Sequence, residues 1–265
     1  MNVLVFGDVV GRIGREAIRS VFQLWKNTYA PTLVIANVEN LAHGAGVTPK
    51  TLSDLLEIGV DVFTSGNHLW DKPAYRDVLR TPELERRLVQ PANEPRSTPN
   101  SGVKLVEKEQ VVFAVMNVMG SLFFKKDYAL PAPAIDVLLA RAPEGAVTLL
   151  DIHAEATSEK AALGLYCDGK ISAVWGSHTH VPTADERILP KGTAFVTDVG
   201  MTGAHNESIG IGFEGLRPVL HGGKPTAFEP PTVGAAEVNA ILLSFENGQR
   251  TPSTITRLRE LVDIR

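Results

Sequence analysis

Val60-Asp61-Val62-Phe63-Thr64-Ser65-Gly66-Asn67-His68 is a short apolar run with an asparagine and a histidine side by side just past its end. The run reads as a buried strand. Taken alone, Gly66-Asn67-His68 is ordinary turn chemistry. Four other apolar runs also lead into residues able to hold a metal: Asp8, Glu39-Asn40, His153 and His178-Thr179-His180. Strand ends that deliver oxygen and imidazole donors to one rim have the layout of a metal site on an open α/β sheet. In such sheets, sites assemble beyond the carboxyl ends of the strands.

Working outward, residues 3–6 read as a central strand buried on both faces, closed by Gly7-Asp8. From 15 to 29 the residues Ala17, Ile18, Val21, Phe22 and Trp25 fall at helical spacing. Residues 32–36 form the next strand. Thr48-Pro49 reads as a cap followed by proline in the first turn, with Gly59 as the stop. This alternation predicts a mainly parallel sheet covered on its faces. Two short helices are expected between 71 and 88. Residues 104–106 and 111–118 read as an antiparallel pair. Residues 134–142 read as a helix, 147–152 as a strand, 158–166 as a helix capped by Ser158, and 171–175 as a strand. Residues 193–199, 239–246 and 253–259 are expected in a second sheet layer, and 203–232 as a long loop. The whole chain, 1–265, reads as one α/β domain of two packed sheets with helices outside.

Composition narrows the class. Hydrophobic residues make up 44% and charged residues 21%, the balance of a globular protein with a full core. Lys and Arg number 26 against 30 Asp and Glu, a net charge of −4, so no basic excess points to stable nucleic-acid binding or an acidic membrane. Cys167 is the single cysteine; it excludes an internal disulfide and a cysteine-rich zinc site, and favours a reduced compartment. The opening residues lack a basic flank and meet Asp8 early, so they read as a first strand rather than a signal peptide. No stretch has the length of apolar sequence a membrane helix requires. A cytoplasmic location is expected.

Singly, the donors have plainer readings. Asp8 reads equally as a turn or capping residue, Glu39-Asn40 and Asn67 as turn residues, and His153 as a hydrogen-bonded core histidine. His178 and His180 carry more weight, because residues i and i+2 of an extended strand share a face. His43, His205 and His221 read as surface residues. Jointly, Asp8, Glu39, Asn40, Asn67, His153, His178 and His180 supply two carboxylates, two amides and three imidazoles. That is too many for one tetrahedral zinc and suits two metals of higher coordination. The lack of thiolate favours Fe, Mn or Zn. Two divalent ions against two carboxylates leave a centre of about +2, suited to a phosphate and an attacking hydroxide.

Gly7-Asp8, Glu39, Gly66-Asn67-His68, His153 and Ser177-His178-Thr179-His180 occur in the order seen in the calcineurin-like metallophosphoesterases. Gly7-Asp8-Val9-Val10-Gly11, Val38-Glu39-Asn40, Gly66-Asn67-His68-Leu69-Trp70-Asp71 and Gly200-Met201-Thr202-Gly203 make the chain resemble, more closely, the YmdB-like bacterial phosphodiesterases. The resemblance spans essentially the whole chain and implies a four-layer α-β-β-α sandwich. It implies a first metal on Asp8, Glu39, Asn40 and His180, and a second on Glu39, Asn67, His153 and His178, with Glu39 bridging. It further implies iron and hydrolysis of phosphodiesters such as 2′,3′-cyclic nucleotides by a metal-bridging hydroxide, with His68 as general acid. The chain departs from the broad pattern at Val10, where many relatives have histidine, at Glu39, where they have aspartate, and at Leu69, where they have an acid. Asn40 would replace the missing imidazole, and Asp71 would orient His68.

Two other readings stand beside this one: a phosphomonoesterase or protein phosphatase on the same metals, and a metal-bound regulatory protein with little turnover. Residues 200–212, with His205, read equally as a phosphate-facing loop and as a packed crossing. Phe123-Phe124 reads equally as a subunit contact of a homo-oligomer, a lid, or core.

Overall fold

The computed structural model describes residues 1–126 and 128–265. Its first sheet is organised around β1 (Asn2–Val9). Alternate residues of this strand serve two cores: Leu4 and Phe6 face the outer helices, and Val3 and Val5 face the second sheet. Burial on both faces explains the unbroken apolar run. α1 (Gly11–Tyr29) covers the outer face, and Phe6 stacks on its Trp25 with ring centroids 5.7 Å apart. β2 (Leu33–Asn37) and β3 (Val62–Thr64) extend the sheet in parallel, with α2 (Pro49–Ile58) between them. The start of α2 forms as expected: the Thr51 backbone N–H donates to Thr48 Oγ1 at 3.2 Å, and Gly59 stops the helix at φ 120°.

After α3 (Tyr75–Arg80) and α4 (Pro82–Glu85) the chain builds the second sheet from β4 (Val103–Lys108), β5 (Val111–Met119), β6 (Val147–His153), β7 (Ala173–Ser177), β8 (Arg187–Ile188) and β9 (Ala194–Val196). Its order is β4-β5-β6-β7-β9-β8. α5 (Pro131–Leu139) and α6 (Thr157–Cys167) cover its outer side. Val3, Val5 and Ile35 meet Val115, Leu149 and Trp175 in the layer between the sheets. The result is the expected four-layer α-β-β-α sandwich.

Three kinds of difference from the sequence reading stand out. Residues 239–246 and 253–259 belong to the first sheet. The chain returns there through β10 (Met201–Ala204), within a stretch read as loop, and finishes with β11 (Gly234–Ser244) and β12 (Thr254–Ile264). The sheet order is β12-β11-β10-β1-β2-β3; β10 wedges beside the end of β1, where Asp8 faces Met201, while β11 pairs with residues 2–6 of β1. β10 and β11 pair with β1, and β12 pairs with β11 at the sheet edge. Second, α1 starts at Gly11 rather than residue 15. Third, α6 starts at Thr157 with no side-chain cap, so Ser158 is not its cap. α7 (Phe213–Leu216) and a 3₁₀ turn (Arg217–His221) lie before β11. No helix among the described residues is long and apolar enough to cross a membrane.

Candidate metal centre

Parallel strands of both sheets end at one rim, and the donors follow from that. β1 carries Asp8, β2 leads to Glu39 and Asn40, β3 to Asn67 and His68, β6 ends in His153, and β7 leads to His178 and His180. Asp8, Glu39, Asn40 and His153 are buried. His153 Nε2 is the centre of one cluster: Glu39 Oε1 lies at 3.2 Å, Asn67 Oδ1 at 3.1 Å and His178 Nδ1 at 3.1 Å. His180 Nε2 and Asn40 Oδ1 make a second meeting point at 3.3 Å. Asp8 ties the two together: its Oδ2 accepts from the backbone N–H of His178 at 3.2 Å, and its Oδ1 lies 4.0 Å from His153 Nδ1.

The hydrogen bonds around these groups leave lone pairs facing inward. Ser177 Oγ donates to Asp151 Oδ1 at 2.6 Å and so accepts from His153 Nδ1 at 2.9 Å, which turns the Nε2 lone pair to the cluster. His178 Nε2 donates to Glu155 Oε2 at 3.0 Å, which leaves its Nδ1 facing His153. His180 Nδ1 donates to the Ile209 carbonyl at 2.8 Å, which leaves Nε2 facing Asn40. Asn40 Nδ2 donates to the Gly44 carbonyl at 2.9 Å, which commits its oxygen to the site. Outer partners of this kind fix the orientation of metal-binding imidazoles. Asp8 Oδ1 and Glu39 Oε1 are buried without any hydrogen-bond partner. Buried acceptors that converge in this way are costly unless a metal cation or a protonated imidazole lies against them.

Gly66 fits the same account. A Cβ there would collide with His153 Nε2 and Glu39 Oε2, so a side chain is excluded from the space these groups surround. Glu39, His153 and His178 present ligand atoms within 4.8 Å of one another. The donor set therefore fits metal ions.

Burial and neighbouring charges act on the same atoms. Burial pushes Asp8 up to about 7, partly offset by His180 and His153. Burial would also raise Glu39, but the adjoining His153 outweighs it and holds the carboxyl below its ordinary value. Burial would lower His153, but Glu39 outweighs it and holds the imidazole at about 9. Burial, reinforced by His153, pushes His178 down to about 3. Glu39 and His153 thus favour each other's charged form.

The strand argument for His178 and His180 fails. β7 ends at Ser177, and the two histidines have φ 95° and 66°, left-handed conformations that disfavour side chains. They are brought together by a loop, not by strand alternation. His68 lies on the rim: its backbone N–H donates to Glu39 Oε2 at 2.9 Å and its Nδ1 to Asp71 Oδ2 at 2.6 Å. His205 lies beside Glu237 at 3.7 Å. Sequence reasoning missed Asp151, Glu155, Ser177, Lys160 and Asp198. Asp151 left a signal, since it shares a face with His153 two residues on in one strand, and Ser177 stood in the Ser177-His178-Thr179-His180 motif without a role of its own; the others left none.

A family model described as YmdB-like protein matches residues 4–258. The chain belongs to the YmdB-like family. The Bacillus subtilis (strain 168) relative named 2′,3′-cyclic-nucleotide 2′-phosphodiesterase is 40% identical to this YmdB-like chain over 261 residues, 97% of this chain and 96% of its own. The crystal structure of a hypothetical protein from Thermus thermophilus superposes with a TM-score of 0.89 at 38% identity, covering 100% of both chains. A calcineurin-like phosphoesterase from Bacillus subtilis shares the fold alone, with a TM-score of 0.55 at 12% identity over 98% of this chain and 90% of its own.

Proposed function

We propose that the chain is a metal-dependent phosphodiesterase acting on small substrates of the 2′,3′-cyclic nucleotide class. Two metal ions would be held by Asp8, Glu39, Asn40, Asn67, His153, His178 and His180, with His68 as the general acid. One observation carries this reading: Glu39 Oε1, Asn67 Oδ1 and His178 Nδ1 all lie within 3.2 Å of His153 Nε2. The name of the Bacillus subtilis relative supports the substrate class. The absence of thiolate from the donor set favours iron, manganese or zinc. When bound, such ions supply positive charge for a phosphate and acidify water at neutral pH.

The chain's own residues do the rest. Asp8 and Glu39 would bring the negative charge that holds the ions, and the neutral amides and imidazoles would leave the centre net positive towards a phosphate. Hydrolysis places the oxygen of water on phosphorus as the bond from phosphorus to the 2′ oxygen breaks. His68, oriented through Nδ1 by Asp71, gives the proton on Nε2 to that leaving oxygen, and the proton that the water gives up passes to solvent, from which His68 is reprotonated. The shared apolar layer between the sheets supports one domain across 1–265. The single buried thiol, Cys167, suits the cytoplasm.

The test is turnover of 2′,3′-cyclic AMP, bis-p-nitrophenyl phosphate and p-nitrophenyl phosphate by metal-reconstituted protein. Both diesters should be cleaved in preference to the monoester. Preference for the monoester would mean a phosphomonoesterase, and no turnover of any would mean a metal-bound regulatory protein.

A further inference from the structure

His68 stands between two clefts of opposite character. One, of about 270 Å³, opens onto Glu39, Asn40, His178 and His180 and is walled on its outer side by Ile209 and Phe228. The other, of about 310 Å³, has Asn67 and His68 in its lining together with Phe123, Phe124, Lys125 and Lys126. In the second cleft Phe124 is wedged in place, its ring 5.2 Å from that of Tyr128 and 5.0 Å from that of His178. The loop is therefore anchored to a residue of the metal centre. Its neighbour Phe123 is 81% exposed and sits at φ 66°. Backbone in this region is strained for a residue with a side chain, and here it holds a phenyl ring out in water at the rim of the site.

We propose that Phe123 is the stacking platform for the nucleobase, so that the site selects nucleoside cyclic phosphates over small cyclic phosphodiesters that lack a base. This rests on the reading of the chain as a cyclic phosphodiesterase and deepens it. A nucleotide offers an aromatic face and an anion, and this cleft offers an exposed ring and two lysines against the single carboxylate of Asp71 among the described residues. Every base has a face to stack, so the platform accepts all four bases. The opposite cleft holds Glu39, Asn40, His178 and His180, the groups that would take the metals and the phosphate, and no lysine among the described residues lines it.

The experiment compares 2′,3′-cyclic AMP with glycerol 1,2-cyclic phosphate, which has the same five-membered diester ring and no base. Phe123→Ala should lower kcat/KM for the nucleotide, mainly through KM, by roughly 5- to 100-fold more than for the glycerol diester. Phe123→Trp should restore the discrimination. Equal losses on both substrates would show that the ring only shapes the site, and would overturn the proposal. So would an unchanged ratio, or a loss of discrimination in Phe228→Ala alone. A second readout does not need turnover: the indole fluorescence of the Phe123→Trp protein should be quenched by adenosine 3′-phosphate and not by glycerol 2-phosphate. Wild-type protein inert on both diesters, with quenching intact, would sink the activity and leave the nucleobase site standing. Lack of quenching would sink the site.

Discussion

Lys160 and Asp198 form an ion pair closed off from solvent, and together they grip the loop that carries His178 and His180. Lys160 Nζ also donates to the Ser177 carbonyl at 2.9 Å, immediately before His178. The Asp198 carboxylate accepts from Thr179 Oγ1 at 2.8 Å, between the two histidines, and from the Gly200 backbone N–H at 2.8 Å. These bonds offset the cost of two left-handed histidines.

Lys160→Met would leave Asp198 buried and unpaired, a change that costs about 3–5 kcal/mol in comparable pairs. Adding Asp198→Asn should recover part of that loss, because the stranded charge is removed. Urea unfolding of the single and double variants measures both effects. A single variant as stable as the wild type would contradict the assignment of this pair as the clamp.

Removal of the acid should separate chemistry from metal binding. His68→Ala is expected to lower kcat by about 10²- to 10⁴-fold with metal content unchanged by elemental analysis. Loss of metal from this variant would make His68 a ligand instead.

The metal-free protein should lose stability as pH rises. Burial opposes protonation of His153, yet Glu39 prevails and holds its pKa at about 9, against an ordinary 6.5. A group raised in this way contributes fully below pH 6.5 and loses its contribution as pH climbs through about 9. Thermal melting of chelator-treated protein should therefore fall across this window. A melting temperature that rises from pH 6.5 to 9 would contradict the His153–Glu39 arrangement.

Gly66→Ala tests the crowding at the centre. Its methyl group would press on His153 and Glu39, and overpacking of this kind typically costs about 1–3 kcal/mol. Metal content after purification should drop along with the melting temperature. Full metal occupancy in this variant would show that the two side chains yield freely.

Much of this was legible in the sequence, for definite reasons. β1, β2 and β3 announce themselves because strands buried on both faces must be apolar, and their ends stand out as the places where Asp8, Glu39 and Asn67 interrupt that pattern. The sequence does not mark β10 as a strand, and it marks β12 as one but places it in the other sheet. Met201–Ala204 is short and glycine-bearing, and β12 is an edge strand carrying Arg257, Arg259 and Glu260, so neither shows the pattern of a buried strand. The convergence of His178 and His180 was expected on the wrong ground: strand alternation was invoked, and a left-handed loop does the work. Lys160 was invisible, because a lysine in an amphipathic helix reads as solvated, and only its partner from a remote segment makes its burial tolerable.

The most direct test is anomalous diffraction at the iron, manganese and zinc edges, from crystals of protein purified without added metal. Two peaks are expected, one beside Glu39, Asn67, His153 and His178 and one beside Asp8, Glu39, Asn40 and His180, with Glu39 between them. A site that stays without anomalous density even after soaking in manganese or iron would contradict the account.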